Sequence, residues 1–304
     1  MSLQFWKHPR SNVALAAQWQ KRARAPLPFI LEEVNKRMVD RAQIMRPVEG
    51  GLVHQGWLHP GALGSVKQLF TGREFTVFAP QAIDLPAAEV DKAAASFLAK
   101  LWPGRSALPK SQAATQLPIN GVLPLANESQ AMVWSPLWLH AIEDPAQQMA
   151  EWLRVLKPEG GVFFSCFGPD TARELHGFAQ ALGETFPDFA DMHDIGDLMS
   201  KQGFSDPVME MEKLTLTYTT AEKLLADWRA LVGNNLMARN TSLLTPGRHV
   251  RAVQQLENLR NSETGRISLT LELVYGHAWK VKRKTKIDVA TVKITDIKGR
   301  KGPK

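Results

Sequence analysis

Residues 151–167 read EWLRVLKPEGGVFFSCF, and they pass from a helix through a turn into an apolar strand. The apolar spacing predicts a helix over 145–156 that ends at the Lys-Pro-Glu-Gly-Gly turn. The nearly continuous apolar run over 162–167 is typical of a strand buried on both faces of a parallel sheet. A helix followed at once by such a strand indicates an α/β fold.

The rest of the chain repeats this alternation of helices and strands. We therefore predict a mainly parallel sheet with helices on both faces, and we expect the long strand over 267–275 to insert antiparallel and close it. Residues 103–128 contain several prolines and little apolar pattern, so we predict mostly loop there. The other predicted strands are 50–56, 75–78, 131–134 and 214–218, and the other predicted helices are 22–46, 62–70, 86–102, 171–182, 194–202, 221–231 and 249–259.

The positive charge of the chain is concentrated at its C-terminus. Residues 280–304 hold ten Lys or Arg and two Asp, a net charge of +8, whereas the remainder holds 27 basic and 28 acidic residues. A near-neutral globular part argues against a nucleic-acid-binding core. We predict an N-terminal extension (1–21), one domain (22–279) with a helical substrate-covering insertion near 219–262, and a basic flexible tail (280–304).

Several classes of protein do not fit the composition. A single cysteine, Cys166, allows neither an intrachain disulfide nor a cysteine zinc cluster, so a reducing cytoplasm is the expected compartment. No apolar run approaches the roughly 20 residues that a membrane span needs. His54 and His59 have no neighbouring cluster of ligands, so no metal site is expected.

The segment after the first predicted strand is the first candidate for a ligand site. Residues 56–64 read GWLHPGALG, and in open α/β sheets ligands bind at the carboxyl ends of the strands. Gly56, Gly61 and Gly64 would let the backbone approach a ligand closely. The same glycines also suit an ordinary turn, because a lone glycine-rich match is a weak signal.

The motifs of the C-terminal half resemble those of class I, Rossmann-like methyltransferases that use S-adenosylmethionine. The resemblance spans about 22–279, is strongest after Leu123, and narrows to the malonyl-carrier-protein O-methyltransferases of biotin synthesis. The mitochondrial complex I assembly arginine hydroxylase shares much of the pattern. The segments that carry the resemblance are LPLANES (123–129), MVWSPLWLH (132–140), RVLKPEGG (154–161), FGPDTAREL (167–175), MHDIGDL (192–198), GFSDPV (203–208), LLTP (243–246) and GRISLTLELVYG (265–276).

The N-terminal half departs from that family's pattern. His54 stands where the family's first strand ends in an acidic residue, and the family's G-x-G-x-G loop is interrupted. The second strand ends without a carboxylate, Asp84 being the nearest, and the third acidic position falls at Ile119 or Asn120. Losing both strand-end carboxylates would remove contacts worth roughly 1.5–3 kcal/mol each, about one to two decades of affinity apiece.

Two main hypotheses of different classes follow, and a third keeps the fold but changes the chemistry to hydroxylation, by analogy with the mitochondrial hydroxylase. In the first, the chain is an S-adenosylmethionine-dependent methyltransferase that acts on a carboxylate carried by an acidic acyl carrier protein, which the basic tail would steer. In the second, the chain is an inactive pseudo-methyltransferase that serves as a binding or assembly module. The resemblance places the cofactor at Gly56, Gly61, Asn120, Trp134, Ser135 and Pro136.

Methyl transfer depends on aligning donor and acceptor more than on acid–base groups, so no single catalytic residue is assigned. An arginine would suit a substrate carboxylate because its planar fork matches the two oxygens. Each arginine is equally consistent with a solvated surface position. The candidates are Arg173, Arg229, Arg239 and Arg266.

Overall fold

The computed structural model describes residues 28–56, 60–79, 83–84, 113–116, 121–142, 144–184, 186, 188–232 and 245–281. The helices of these residues are α1 (Pro28–Ala42), α2 (Pro60–Leu69), α3 (Pro145–Val155), α4 (His176–Ala181), α5 (Met192–Gln202), α6 (Ala221–Val232) and α7 (Pro246–Glu257). The strands are β1 (Gly51–Gln55), β2 (Phe75–Ala79), β3 (Ile83–Asp84), β4 (Ala113–Gln116), β5 (Gln130–Ser135), β6 (Leu156–Phe167), β7 (Phe204–Tyr218) and β8 (Ile267–Lys280).

The strands form one mixed sheet in the order β3-β4-β2-β1-β5-β6-β8-β7. Strands β4, β2, β1, β5 and β6 run parallel to one another, and β3 pairs antiparallel with β4 at the edge. Strand β8 lies between β6 and β7 and runs antiparallel to both. The predicted α/β fold class and the antiparallel insertion of the last strand are confirmed.

Local signals explain where the best-predicted helices begin and end. Asp144 caps α3 by accepting a hydrogen bond from the Gln147 N–H at 3.0 Å, and proline fills the first position of the helix. Asp191 caps α5, and Gly203 ends it in the left-handed conformation with φ 102°. These two helices therefore start and stop close to where the sequence predicts.

Several predicted boundaries are wrong. The helix predicted to end at residue 46 ends at Ala42, and the strand predicted to end at 275 continues to Lys280. Strand β7 begins at Phe204 rather than at residue 214. Its first half was missed because it is a bulged edge strand with exposed charged residues. Strand β6 begins at Leu156, so the Lys-Pro-Glu-Gly-Gly segment is bulged strand rather than turn. The helix predicted over 171–182 is interrupted because Ala172 is left-handed (φ 54°), which leaves a 3-10 turn (Arg173–Leu175) before α4.

Two further predictions fall on the region 80–120. Strand β4 lies inside the segment 103–128, for which we predict mostly loop. The helix predicted over 86–102 lies outside the described residues, as do most of the basic tail and the N-terminal extension.

The β7–β8 hairpin extends beyond the end of β6. Phe167, the last residue of β6, faces Leu273, whereas β7 and β8 stay paired as far as Tyr218 and Ile267. Because β8 is antiparallel to β6, this extension rises at the carboxyl ends of the parallel strands. Helices α6 and α7 lie between its two strands in the chain, and α7 packs on α4. The hairpin thus carries a helical lobe on the side of the sheet where ligands bind in this fold class.

Helix α1, the first helix of the described residues, packs against the sheet. It contributes Ile30, Val34 and Met38 to the hydrophobic core. No helix among the described residues is long and apolar enough to cross a membrane.

Candidate functional site

The carboxyl ends of β1 and β5 meet at Gly56. Its φ of 134° is a conformation that other residues rarely adopt. A Cβ at this position would lie 2.8 Å from the Trp138 Cβ and 3.1 Å from the Pro136 carbonyl oxygen. Glycine is therefore needed here for the close approach of the segment that follows β5.

His54, next to the end of β1, is buried and neutral. Burial lowers the pKa of its imidazole from 6.5 to about 4. Its Nδ1 has no hydrogen-bond partner in the described part of the chain. The end of β1 thus holds an uncharged polar group at neutral pH.

Gln55, the last residue of β1, is held in a buried amide network. Its Oε1 accepts a hydrogen bond from the Trp152 indole N–H at 2.6 Å, and its Nε2 donates to the Gln148 Oε1 at 2.9 Å. Gln148 and Trp152 lie on α3, so the network fixes the end of β1 to that helix. The Gln55 amide therefore has a structural role, because its oxygen and nitrogen are both hydrogen-bonded to α3.

The end of β5 and the segment that follows it combine a buried hydroxyl with a fixed backbone. The Trp134 indole N–H donates to the Asn35 Oδ1 of α1 at 2.9 Å, and both side chains are buried. The Leu137 N–H donates to the Ser165 Oγ at 3.0 Å, which holds Leu137 in the left-handed region at φ 44°. Ser135 Oγ is buried without a hydrogen-bond partner among the described residues.

The predicted cofactor residues divide into three groups. Gly56 lies against the segment that contains Ser135 and Pro136, and Trp134 pairs with His54 across β5 and β1. Gly61 lies in α2, which begins at Pro60, so the glycine-rich loop is shorter than its sequence indicates. Asn120 lies outside the described residues.

The candidate substrate arginines are exposed and lie at the lobe. Arg173 is in the 3-10 turn after β6, Arg229 is on α6, and Arg266 precedes β8. Arg239 lies outside the described residues. The Arg173 guanidinium is 4.0 Å from the Asp170 carboxylate, which is hydrogen-bonded to Lys213. That hydrogen bond to Lys213 lowers the pKa of Asp170.

The segment after β6 is fastened to β8 by a set of contacts that the sequence does not predict. The Gly168 N–H donates to the Glu272 carbonyl at 2.9 Å, and the Ala172 N–H donates to the Thr270 carbonyl at 2.7 Å. The buried Glu272 carboxylate accepts the Asp170 N–H at 2.9 Å. A signal was present, since Glu272 is an acidic residue inside an otherwise apolar strand.

Two other side chains complete this fastening. Thr171 Oγ1 donates to the Glu272 carbonyl at 3.0 Å and accepts the Glu272 N–H at 3.1 Å. The Glu174 carboxylate accepts the Thr270 hydroxyl at 2.6 Å and the Thr270 N–H at 3.1 Å. The path of the backbone from Gly168 to Leu175 is therefore fixed where it leaves the sheet.

Other chemistry-bearing residues have no place in this site. Cys166 is buried in β6, and burial raises the pKa of its thiol, so it is not poised as a nucleophile. Among the described residues, no group of three or more His, Cys, Asp or Glu side chains is placed to hold a metal ion.

The strand order, with an antiparallel strand inserted beside the last parallel one, is that of the class I, Rossmann-like methyltransferase fold. Residues 71–164, which run from just before β2 into β6, match the family model described as a methyltransferase domain. The chain is 40% identical over 189 residues to a malonyl-[acyl-carrier protein] O-methyltransferase of Gallionella capsiferriformans, covering 60% of this chain and 64% of that protein.

The likeness extends to further proteins. The enzyme of the same description from Laribacter hongkongensis is 40% identical over 161 residues, which cover 52% of this chain and 54% of the relative. The chain thus spans roughly half to two thirds of the length of the curated relatives that it matches. The solved structure of the YcgJ protein of Bacillus subtilis aligns with a TM-score of 0.49 at 13% identity, covering 82% of this chain and 99% of that one. The predicted resemblance to malonyl-carrier-protein O-methyltransferases is confirmed.

Proposed function

We propose that the chain is an S-adenosylmethionine-dependent methyltransferase whose acceptor is a carboxylate on a substrate bound to an acyl carrier protein. One observation carries the proposal: the 40% identity to malonyl-[acyl-carrier protein] O-methyltransferases, on a chain whose sheet has the class I order. This similarity to O-methyltransferases favours the methyltransferase over the alternative of an inactive binding module.

The described residues fit the cofactor through neutral groups. Ser135 Oγ and His54 Nδ1 are buried polar atoms without protein partners among those residues, on adjacent strands whose carboxyl ends form the site. Buried polar groups generally have hydrogen-bond partners, so orphaned atoms at this edge suit a bound ligand. When bound, S-adenosylmethionine would supply the activated methyl group.

The chain's own residues would bind and align the reactants. His54 and Ser135 would offer hydrogen bonds without adding charge, and the Gly56–Trp138 contact would fix the floor of the site. The exposed arginines Arg173, Arg229 and Arg266 would attract the acceptor carboxylate. We expect weaker cofactor binding than in a site with two strand-end carboxylates, by about one to two decades for each missing charge-assisted contact.

Calorimetric titration tests the proposal. S-adenosylmethionine and S-adenosylhomocysteine are titrated into the folded, full-length protein, and methyl transfer to malonyl-carrier protein is then followed with a labelled methyl group. The proposal expects saturable heat for both ligands and label transfer to the malonyl form but not to an acetyl form, which lacks the carboxylate. Folded protein that gives no heat with millimolar ligand would refute methyl transfer and favour the binding-module alternative.

A further inference from the structure

The Glu174 carboxylate makes contacts that a surface helix residue does not need. It turns toward β8 and accepts two hydrogen bonds from one residue, from the hydroxyl of Thr270 at 2.6 Å and from its backbone N–H at 3.1 Å. A carboxylate acceptor makes both bonds charge-assisted, which strengthens them and restricts their geometry. The 3-10 turn after β6 is thereby bound to the hairpin extension.

The backbone of this turn is held in a conformation that needs such support. Ala172 has a φ of 54°, a region that residues other than glycine seldom occupy unless their surroundings hold them there. The Ala172 N–H bonds the Thr270 carbonyl at 2.7 Å, so Thr270 receives contacts from both Ala172 and Glu174. The residue between them in the chain is Arg173, whose position is therefore set from both sides.

Arg173 is presented outward by this arrangement. Its side chain is 61% exposed, and its ion-pair contact with Asp170 is long, at 4.0 Å. Asp170 is itself hydrogen-bonded to Lys213. Arg173 therefore has a fixed backbone and a solvent-exposed guanidinium. It lies just beyond the carboxyl end of β6, the edge of the sheet at which an acceptor would approach.

We propose that Glu174 is a positioning residue that holds Arg173 to bind the carboxylate of the acceptor. The inference deepens the proposed function and rests on it, because the acceptor carboxylate is taken from that function. Glu174 acts through Arg173 and does not itself touch the acceptor. The consequence is a selectivity for a carboxylate-bearing acyl group over an uncharged one that depends on both residues.

The experiment measures dissociation constants of fluorescently labelled malonyl-carrier protein and acetyl-carrier protein for the full-length chain. The wild type is expected to prefer the malonyl form by about tenfold, the size of one charge-assisted contact. Arg173→Ala removes the preference, and Glu174→Gln reduces it several-fold, while the affinity for the acetyl form stays the same in both. Glu222→Gln, an exposed acid on α6, is the matched control and keeps the preference.

A double variant separates positioning from a general structural effect. If Glu174 acts through Arg173, then Arg173→Ala combined with Glu174→Gln is no worse than Arg173→Ala alone. Thr270→Val removes the hydroxyl but keeps the backbone N–H, so it gives a smaller loss in the same direction and serves if Glu174→Gln fails to fold. A full preference in Glu174→Gln, an equal loss for both carrier forms, additive losses, or no preference in the wild type would overturn the proposal.

The readout distinguishes this proposal from the proposed function. Binding of the two carrier forms requires neither the cofactor nor turnover. Loss of cofactor heat with the malonyl preference intact would therefore refute methyl transfer and leave the positioning role standing. If cofactor binding and label transfer are observed but Glu174→Gln leaves the malonyl preference unchanged, methyl transfer stands and the positioning role is refuted.

Discussion

At the scale of single residues, burial of His54 determines the charge at the end of β1. The imidazole is buried at the end of β1, and burial lowers its pKa to about 4. It remains uncharged at neutral pH, so it adds neither attraction nor repulsion for a charged ligand. The same burial links the stability of the fold to pH.

We expect His54 to make the fold less stable in mild acid. Its pKa is about 4 in the folded state and 6.5 without burial, so between these pH values the unfolded chain binds a proton that the folded chain does not. The stabilisation is complete above pH 6.5 and is lost as the pH falls toward 4. A gap of roughly 2.5 in pKa corresponds to about 3 kcal/mol.

The measurement is urea unfolding of the wild type and His54→Phe from pH 7 to pH 4. The phenyl ring keeps the approximate shape and removes the titrating group. The difference in unfolding free energy between the two proteins should shift against the wild type by about 3 kcal/mol over this range. Parallel curves for the two proteins would show that His54 is protonated in the folded state or reaches water.

Residue types alone do not show which distant side chains contact one another. Gly56 lies against Pro136 and Trp138, because strand-end segments meet in a parallel sheet. The roles of Glu174 and Gln55 were not predictable, since each depends on a partner about a hundred positions away in the chain. Likewise, the sequence shows that Glu272 is an acid in an apolar strand, but it does not show that its carboxylate accepts a hydrogen bond from the Asp170 N–H.

At the scale of elements, helix α1 is joined to the sheet by two kinds of contact of unequal weight. Arg37 and Arg41 form ion pairs with Glu212 on β7, with side chains 25–29% exposed. Asn35 instead accepts the buried Trp134 indole N–H. Partly exposed ion pairs contribute little because solvent screens them, whereas a buried donor left without a partner carries its full desolvation cost.

We therefore expect Asn35→Ala to destabilise the protein by about 1–3 kcal/mol and Glu212→Gln by less than about 1 kcal/mol. Chemical unfolding at low salt and in 1 M NaCl measures both. The Glu212 effect should shrink in high salt, where the screening length falls to about 3 Å, and the Asn35 effect should persist. Adding Trp134→Phe to Asn35→Ala removes the orphaned donor and should recover part of the loss. A larger effect of Glu212→Gln would reverse this ranking.

The predictability of each element follows from how its side chains are buried. The core strands β5 and β6 were predicted because both faces are apolar, and the antiparallel place of β8 was expected because this long strand does not follow the tight alternation of helices and strands. The first half of β7 was missed because it is an edge strand with exposed Glu210 and Lys213 and a bulge near Asp206. Pairing partners, rather than local pattern, make that segment a strand.

At the scale of the whole molecule, the charge of the chain is divided between a near-neutral domain and a basic C-terminus. The residues after Val281 hold nine Lys or Arg and two Asp. Clustered charge of one sign mainly accelerates encounter with an oppositely charged partner and contributes less to the final affinity. An acidic carrier protein, the partner in the proposed function, would gain in this way.

Removing residues 282–304 should lower the association rate with malonyl-carrier protein at least about tenfold at low ionic strength, because electrostatic steering raises on-rates by about 10–10³. Stopped-flow fluorescence measures the rates, and the full-length and truncated chains should converge near 0.5 M salt, where charges more than a few ångströms apart are screened. The matched control keeps the length of the tail and replaces its nine basic residues with glutamine. It should behave like the truncation if charge is the cause, and like the wild type if the tail acts through length or sequence. Equal association rates for all three proteins at low salt would show that the tail does not steer the carrier protein.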